Sequence, residues 1–227
     1  MKSKKHPYLD EELFYSDSMA QGDPGAHMEP MIDRVIESIF PDPYWKRFFA
    51  DKKDLVCIDV GANVGVATGY LRRYCSIVYA LEPSLRHFEA LVKNKEVNGW
   101  NNVVPLNMAM FDRTGEMQLN IDDYVPTQDG LVWPTGKTQP VEVITLTDFL
   151  KRFNIPRVDF LKIDVEGSEY AIVACEDFAA IDTLDIEFHM SRQEKCLPKL
   201  YSIFRSTVVR AQNGPPAWLC SKVYNVE

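Results

Sequence analysis

Long apolar runs are missing from this chain. None approaches the roughly 18 residues that a membrane-spanning helix needs, and the opening MKSKKHPYLDEELF has no apolar core of the kind a secretory signal carries. The expectation is a cytoplasmic protein without a membrane partner. Cysteines are few and unpatterned: Cys57, Cys75, Cys175, Cys196 and Cys220 are odd in number and nowhere spaced C-x-x-C, which argues against a disulfide framework and a zinc site. The 4 histidines are equally dispersed, so no metal cluster is read from the sequence. Basic residues are in deficit, 25 Lys and Arg against 33 Asp and Glu, for a formal net charge of −8. Because nucleic-acid affinity depends on neutralising phosphates, this balance argues against a nucleic-acid partner. The cluster Lys2, Lys4 and Lys5 reads as a solubilising tail.

What is present suffices for one core. A hydrophobic content of 46% over 227 residues fits a single α/β domain at 51–227, with an extension at 1–50. The chemistry concentrates in two acid-and-glycine stretches, LVCIDVGANVG at 55–65 and FLKIDVEGSE at 160–169. In the first, Leu55 to Ile58 is a β-favouring run, Asp59 closes it, and Gly61 and Gly65 bracket a turn into an amphipathic segment from Val66 to Tyr74. A strand, a glycine loop and a helix start bring backbone N–H groups against a ligand, and glycine permits close approach. A second apolar run, Ser76 to Leu81, ends in Glu82-Pro83. That places an acid roughly 20 residues past the first glycine, where a doubly wound sheet holds a ribose diol. Taken singly, Asp59 reads equally as a helix cap, Glu82 as a solvated strand-end charge, and the loop as a bare strand-to-helix turn. Their spacing joins them.

Elsewhere, Pro30 to Phe40 has a helical apolar face, and Tyr44 to Phe49 is an aromatic approach to the first strand. Ser84 to Asn98 predicts a helix stopped by Asn98-Gly99, and Val103 to Met108 a third strand. Met117 to Ile121 and Val141 to Leu146 read as short strands around a loop, Asp122 to Pro140, whose Tyr124 and Trp133 serve either as an acceptor clamp or as anchors to the body. Val158 to Ile163 is the fourth strand, Glu166 to Phe178 its helix, and Leu184 to Phe188 the fifth strand. Gln193 to Phe204 predicts a helix with Pro198 near its first turn, and Trp218 to Val226 a last strand.

These features resemble the nucleoside half of a class I S-adenosylmethionine-dependent methyltransferase. The loop reads Asp-Val-Gly-Ala-Asn-Val-Gly instead of the G-x-G-x-x-G of pyrophosphate binders, which disfavours an NAD-dependent reductase. Within that class the chain is similar to the FkbM family. The resemblance runs from about Leu55 to about Met190 through DVGANVG, ALEP, VVPLNMAM with a following D-x-x-G-E, T-L-x-D-F-L and LKIDVEGSE. It implies a Rossmann-like, mostly parallel sheet of seven-stranded type with helices on both faces and an N-terminal helical extension that covers the cofactor or shapes the acceptor pocket. The last strands would form an antiparallel hairpin turning at Gly214-Pro215-Pro216. The implied cofactor is S-adenosylmethionine, with Asp59 near its ammonium, Gly61, Ala62, Asn63 and Gly65 along the loop, Glu82 on the ribose, Met108 and Ala109 against the adenine, and Asp164 at the methionine end. On this reading Gly61→Val blocks the cofactor sterically and leaves the far strands folded. The acceptor is a hydroxyl on a small molecule or glycan. A non-catalytic nucleoside-binding domain is the alternative of a different class.

Ligands of an open parallel sheet bind beyond its carboxyl edge, so Asp59, Glu82, Ala109, Asp164 and His189 are expected on one rim. Methyl transfer mainly requires alignment and exclusion of water, with proton removal a modest addition. His189, Glu166 and Asp164 are the candidate bases. His189 closes Asp-Ile-Glu-Phe-His and ordinarily titrates near neutrality, with Glu187 two residues before it expected to fix its tautomer. Glu166 and Glu169 also read as first-turn helix charges, and Lys162 as an internal ion-pair partner of Asp164. Asp164 with Asp185 or Glu187 would suit Mg²⁺, but no carboxylate pair at ligand spacing in the sequence compels a metal.

Overall fold

The computed structural model describes residues 1–5, 11–15, 33, 43–122, 129–132, 134–189, 193–204, 206–210 and 217–221. Strands β1 (Lys2–Lys5) and β2 (Glu12–Tyr15) form an antiparallel ribbon, followed by helix α1 (Pro43–Phe49). Then come β3 (Leu55–Val60), α2 (Val66–Leu71), β4 (Cys75–Leu81), α3 (Leu85–Val97), β5 (Val103–Leu106), β6 (Ala109–Met110), β7 (Gly115–Asn120) and β8 (Thr138–Ile144). The chain continues through α4 (Leu146–Arg152), β9 (Phe160–Ile163), α5 (Glu169–Cys175), β10 (Thr183–Glu187), α6 (Gln193–Ile203), β11 (Ser206–Arg210) and β12 (Ala217–Ser221). Among the described residues, no helix is long and apolar enough to cross a membrane.

The main sheet runs β11-β12-β10-β9-β3-β4-β5, parallel throughout except that β12 is antiparallel to both its neighbours. Its core obeys the two-residue period of a strand. Cys57 and Phe160 face one layer, packed with Trp45 and Phe49 of α1, Tyr70 of α2 and Leu91 of α3. Ile58, Val60, Leu161 and Ile163 face the other, with Phe149 of α4, Ile172 of α5 and Leu200 of α6. Cys57 and Cys75, unrelated by motif, come together on neighbouring strands with their sulfurs 2.6 Å apart.

The expected third strand divides. β5 stops at Leu106, and Ala109–Met110 pairs instead with β8 in a small second sheet, β6-β8-β7. Leu146 belongs to a helix, not a strand, because the Thr145 side chain caps the turn by accepting from the Asp148 N–H at 3.0 Å. Helix α5 starts three residues later than the pattern suggests: Glu166 and Gly167 have φ of 52° and 104°, a left-handed turn that no α-helix contains. The segment Val66–Leu71 is buried along its whole length, and Pro198 lies inside α6.

The extension begins as a ribbon where a helical one was expected. Asn94 and Asn98, one turn apart on α3, imitate a neighbouring strand. Asn94 accepts from Phe14 N and donates to Phe14 O, and Asn98 does the same with Glu12. Tyr44 to Phe49 lies in helix α1, with Trp45 and Phe49 in the core. Tyr124, Trp133, Gly214-Pro215-Pro216 and, apart from Asp33, the segment Pro30 to Phe40 lie outside the described residues, as do 222–226 of the expected last strand.

Candidate functional site

A cavity opens at the carboxyl edge of β3, β4 and β9, lined by the loop after β3, by Glu82 and His87, by Met108 to Met110, by Leu119 and Asp129 to Leu131, and by Lys162 to Glu166 with Ser168. Among the described residues, none before Val60 lines it. Glu82, Ala109 and Asp164 therefore meet, as the parallel topology requires.

At one end the polar geometry is already fixed. The loop is drawn onto β4 by Gly61 N and Ala62 N, both donating to Leu81 O at 3.0 and 2.9 Å. Gly61 has φ of 79°, and a Cβ there would stand 1.8 Å from the Asp164 carbonyl oxygen. Its role is thus to let two strand ends touch, so Gly61→Val strikes the protein's own backbone and not simply the ligand, contrary to the simpler expectation. Asn63, at φ 52°, donates its N–H to Glu82 Oε2 at 2.8 Å, and Ser84 N donates to Oε1 at 2.8 Å. Two backbone donors aim the nearly buried carboxylate while each oxygen keeps a further lone pair for a ligand.

Two partners here carry no sequence signal strong enough to single them out. His87, in the first turn of α3, is 2% exposed, sits 3.8 Å from Glu82 through Nδ1, and has no hydrogen-bond partner for Nε2 among the described residues. Asp129 accepts from Arg86 Nη2 and Nε at 2.5 and 3.0 Å and from the Ser84 hydroxyl at 2.6 Å, which pins this part of the loop beside the cavity. The only hint of His87 is its position five residues after Glu82. Ala109, Leu119 and Leu131 form an apolar wall, with Met108 and Met110 adjoining.

Asp59 and Gly65 do not reach this space. Asp59 is fully buried, accepts from the Thr68 hydroxyl at 2.6 Å and lies 3.5 Å from Lys162. Instead of lining the cavity as the expected partner of a cofactor ammonium, Asp59 shares the Cys57 face of β3 and stands against Thr68 and Lys162, so its place is in support of Lys162. Gly65, at φ 94°, admits Leu91 and Trp100, whose atoms a Cβ would meet at 2.7 and 3.1 Å. That requirement is packing.

The other end is charged. Lys162 Nζ is 3.2 Å from Asp164 Oδ2, and although burial opposes its charge, Asp164 and Asp59 outweigh that and raise its pKa. His189 lies beside the lining residues Asp164 and Glu166. Its ring is oriented by Glu169, not by Glu187: Nδ1 lies 2.9 Å from Glu169 Oε1, which also accepts from Gly167 N at 3.1 Å and Val165 N at 3.3 Å. The sequence reading treated Glu169 as a helix charge; it is 1% exposed and joins the Asp164 loop to the end of β10. Burial would lower the His189 pKa, but the Glu169 hydrogen bond and the charges of Asp164 and Glu166 prevail and push it up to about 9. The ligand-free imidazole is held toward its protonated form, which leaves less of it free to accept a proton than an unperturbed histidine offers at neutral pH. Burial pushes Glu166 up to about 7 against the pull of His189. Asp164, Glu166 and His189 bring three ligand-type atoms within 4.8 Å of one another, a grouping that sequence spacing does not announce.

Residues 59–211 match the family model described as Methyltransferase FkbM domain. The chain is 28% identical over 186 residues to Methyltransferase 1 of the fungus Beauveria bassiana, covering 70% of this chain and 69% of that protein. It is 22% identical over 153 residues to the hexuronic acid methyltransferase AglP of Haloferax volcanii, covering 66% of this chain and 63% of AglP. Two solved structures share the fold. A methyltransferase FkbM from Methylobacillus flagellatus aligns with a TM-score of 0.53 at 15% identity, over 78% of this chain and 46% of its own. An S-adenosylmethionine-dependent O-methyltransferase from Thermotoga maritima gives 0.51 at 15% identity, over 87% and 72%. With well over half of its length inside the family model, the chain belongs to the FkbM methyltransferase family.

Proposed function

We propose that the protein is an S-adenosylmethionine-dependent methyltransferase that methylates a hydroxyl oxygen on a small molecule of the sugar class. The observation that carries this reading is the Glu82 carboxylate, held by Asn63 N and Ser84 N at 2.8 Å each and presented to a cavity beside a glycine loop. The residues present fit a nucleoside. Glu82 accepts from two ribose hydroxyls, His87 Nε2 is a buried polar atom with no described hydrogen-bond partner, and Ala109, Leu119 and Leu131 offer the apolar wall an adenine requires. When bound, S-adenosylmethionine supplies a methyl group on a positively charged sulfur.

The chain's own residues then align and enclose. Asp164 and Lys162 bound the end remote from Glu82, where an amino-acid moiety would extend, and Glu166 and His189 stand beside it. The acceptor oxygen belongs at this end, beside Glu166 and His189, where its alignment with the methyl group is the main requirement. A sugar acceptor is supported by similarity to a hexuronic acid methyltransferase, and the net charge of −8 favours a small acceptor over a polyanion. Incubation with S-adenosylmethionine and a panel of hexuronates and neutral sugars should yield S-adenosylhomocysteine together with a methyl ether. Tight cofactor binding without turnover on any acceptor would favour a binding module, and binding of NADH alone would reject the cofactor.

A further inference from the structure

The charged end of the cavity has a geometry that hydrogen bonding leaves unexplained. With Nδ1 directed to Glu169, His189 turns Nε2 toward three separate carboxylate oxygens: Asp164 Oδ1 at 3.7 Å, Glu166 Oε1 at 3.7 Å and Glu187 Oε1 at 3.8 Å. Such distances are too long for hydrogen bonds, yet one ligand-type atom each from Asp164, Glu166 and His189 lies within 4.8 Å of the others, close enough to share a single ion. Asp164 divides its oxygens, Oδ2 toward Lys162 at 3.2 Å and Oδ1 toward His189. Glu166 stands in the group with its backbone in the left-handed region, at φ 52°. An independent feature also points to a ligand here. Ser168 lines the same cavity at 2% exposure, and its hydroxyl has no hydrogen-bond partner among the described residues.

We propose that Asp164, Glu166 and His189 form a divalent-cation site at the methyl-transfer end of the cavity, with Glu169 as the positioning residue that presents Nε2 as the donor. Two carboxylate oxygens and one imidazole nitrogen suit a borderline ion such as Mn²⁺. A histidine that ligates through one nitrogen while its other N–H is held by a carboxylate is the common arrangement around protein-bound metals. Three protein ligands leave about three positions on a six-coordinate ion. Those positions would suit an acceptor that offers a hydroxyl beside a second oxygen, as a vicinal diol or a 2-hydroxy acid does.

The ion's role depends on the proposed methyl transfer; its binding does not. A hydroxyl ligated to the ion releases its proton to water. The resulting oxyanion forms the new O–C bond as the C–S bond breaks, leaving a neutral thioether. Glu166 then serves as a ligand and not as the proton acceptor.

Mn²⁺ titration of the metal-stripped full chain, followed by electron paramagnetic resonance with and without S-adenosylhomocysteine, tests the site. We expect one Mn²⁺ per chain, bound about tenfold or more weakly by Glu166→Gln and by His189→Gln, while S-adenosylhomocysteine affinity stays within about threefold. Glu169→Gln should weaken Mn²⁺ by about 10- to 100-fold. No binding by the wild-type chain, or binding unchanged in these variants, overturns the site. Should a variant fail to fold, a spin-echo measurement on the wild-type Mn²⁺ complex still decides: one coupled imidazole nitrogen is expected, and its absence overturns the site. Mn²⁺ bound without S-adenosylhomocysteine affinity would remove the proposed function and keep the site. The reverse result would remove the site and keep the function.

Discussion

The two ends of the cavity are built on opposite principles. At the Glu82 end, a carboxylate already accepts two backbone hydrogen bonds at 2.8 Å and its shape is set before any ligand arrives. At the Asp164 end, the contacts between Nε2 of His189 and three carboxylates fall at 3.7 to 3.8 Å, so charges are gathered but not joined. The first arrangement suits neutral hydroxyls, which reward fixed geometry at little electrostatic cost. The second suits a reacting centre, where charge develops and groups must respond to it. Gly61 connects the two, because its missing side chain lets the loop after β3 rest on the Asp164 carbonyl.

Gly61→Val should have the largest effect and break both ends at once. With a Cβ position 1.8 Å from a backbone oxygen and φ of 79°, it should cost about 3 kcal/mol or more of stability, measurable by urea denaturation. Glu82→Gln should separate the ends. Loss of the charged acceptor should weaken S-adenosylhomocysteine binding by about 1.5–3 kcal/mol, more than tenfold by calorimetry, while Mn²⁺ affinity holds. Alanine is the poorer test, since it also frees the Asn63 and Ser84 N–H groups. Glu169→Gln should act on the charged end alone, costing about 1–2 kcal/mol in thermal unfolding and lowering turnover while cofactor affinity is kept. His87→Phe should have the smallest effect, a loss of about 0.5–1.5 kcal/mol in cofactor binding with the fold intact. Unchanged affinity in that variant would take the nucleoside away from Nε2.

The sheet was legible because its strands carry apolar runs that end in acids, as Leu55–Val60 does, and because ordered motifs fixed the sequence of elements. Glu82 and Asp164 were legible for the same reason: strand ends in a parallel sheet converge. What escaped depended on tertiary contact. Nothing local makes β1 and β2 a ribbon; β2 lies against the side-chain amides of Asn94 and Asn98, 80 and 86 residues away. Likewise, Asp59 looked like a ligand contact by position, but its side chain follows the core face with Cys57. Glu169 looked like a helix-dipole charge until the left-handed turn at Glu166 and Gly167 folded the loop back onto it. The His189 pKa could not be read from a strand-end histidine, since it depends on carboxylates from the loop after β9 and from α5.

A crystal structure of the full chain with S-adenosylhomocysteine would test the two-ended cavity most directly. The ribose hydroxyls should lie within about 2.6–3.2 Å of the Glu82 oxygens, the adenine against Ala109, Leu119 and Leu131, and the sulfur should point toward Asp164 and Glu166. A ribose bound away from Glu82, or a sulfur directed away from the Asp164 end, would contradict this assignment.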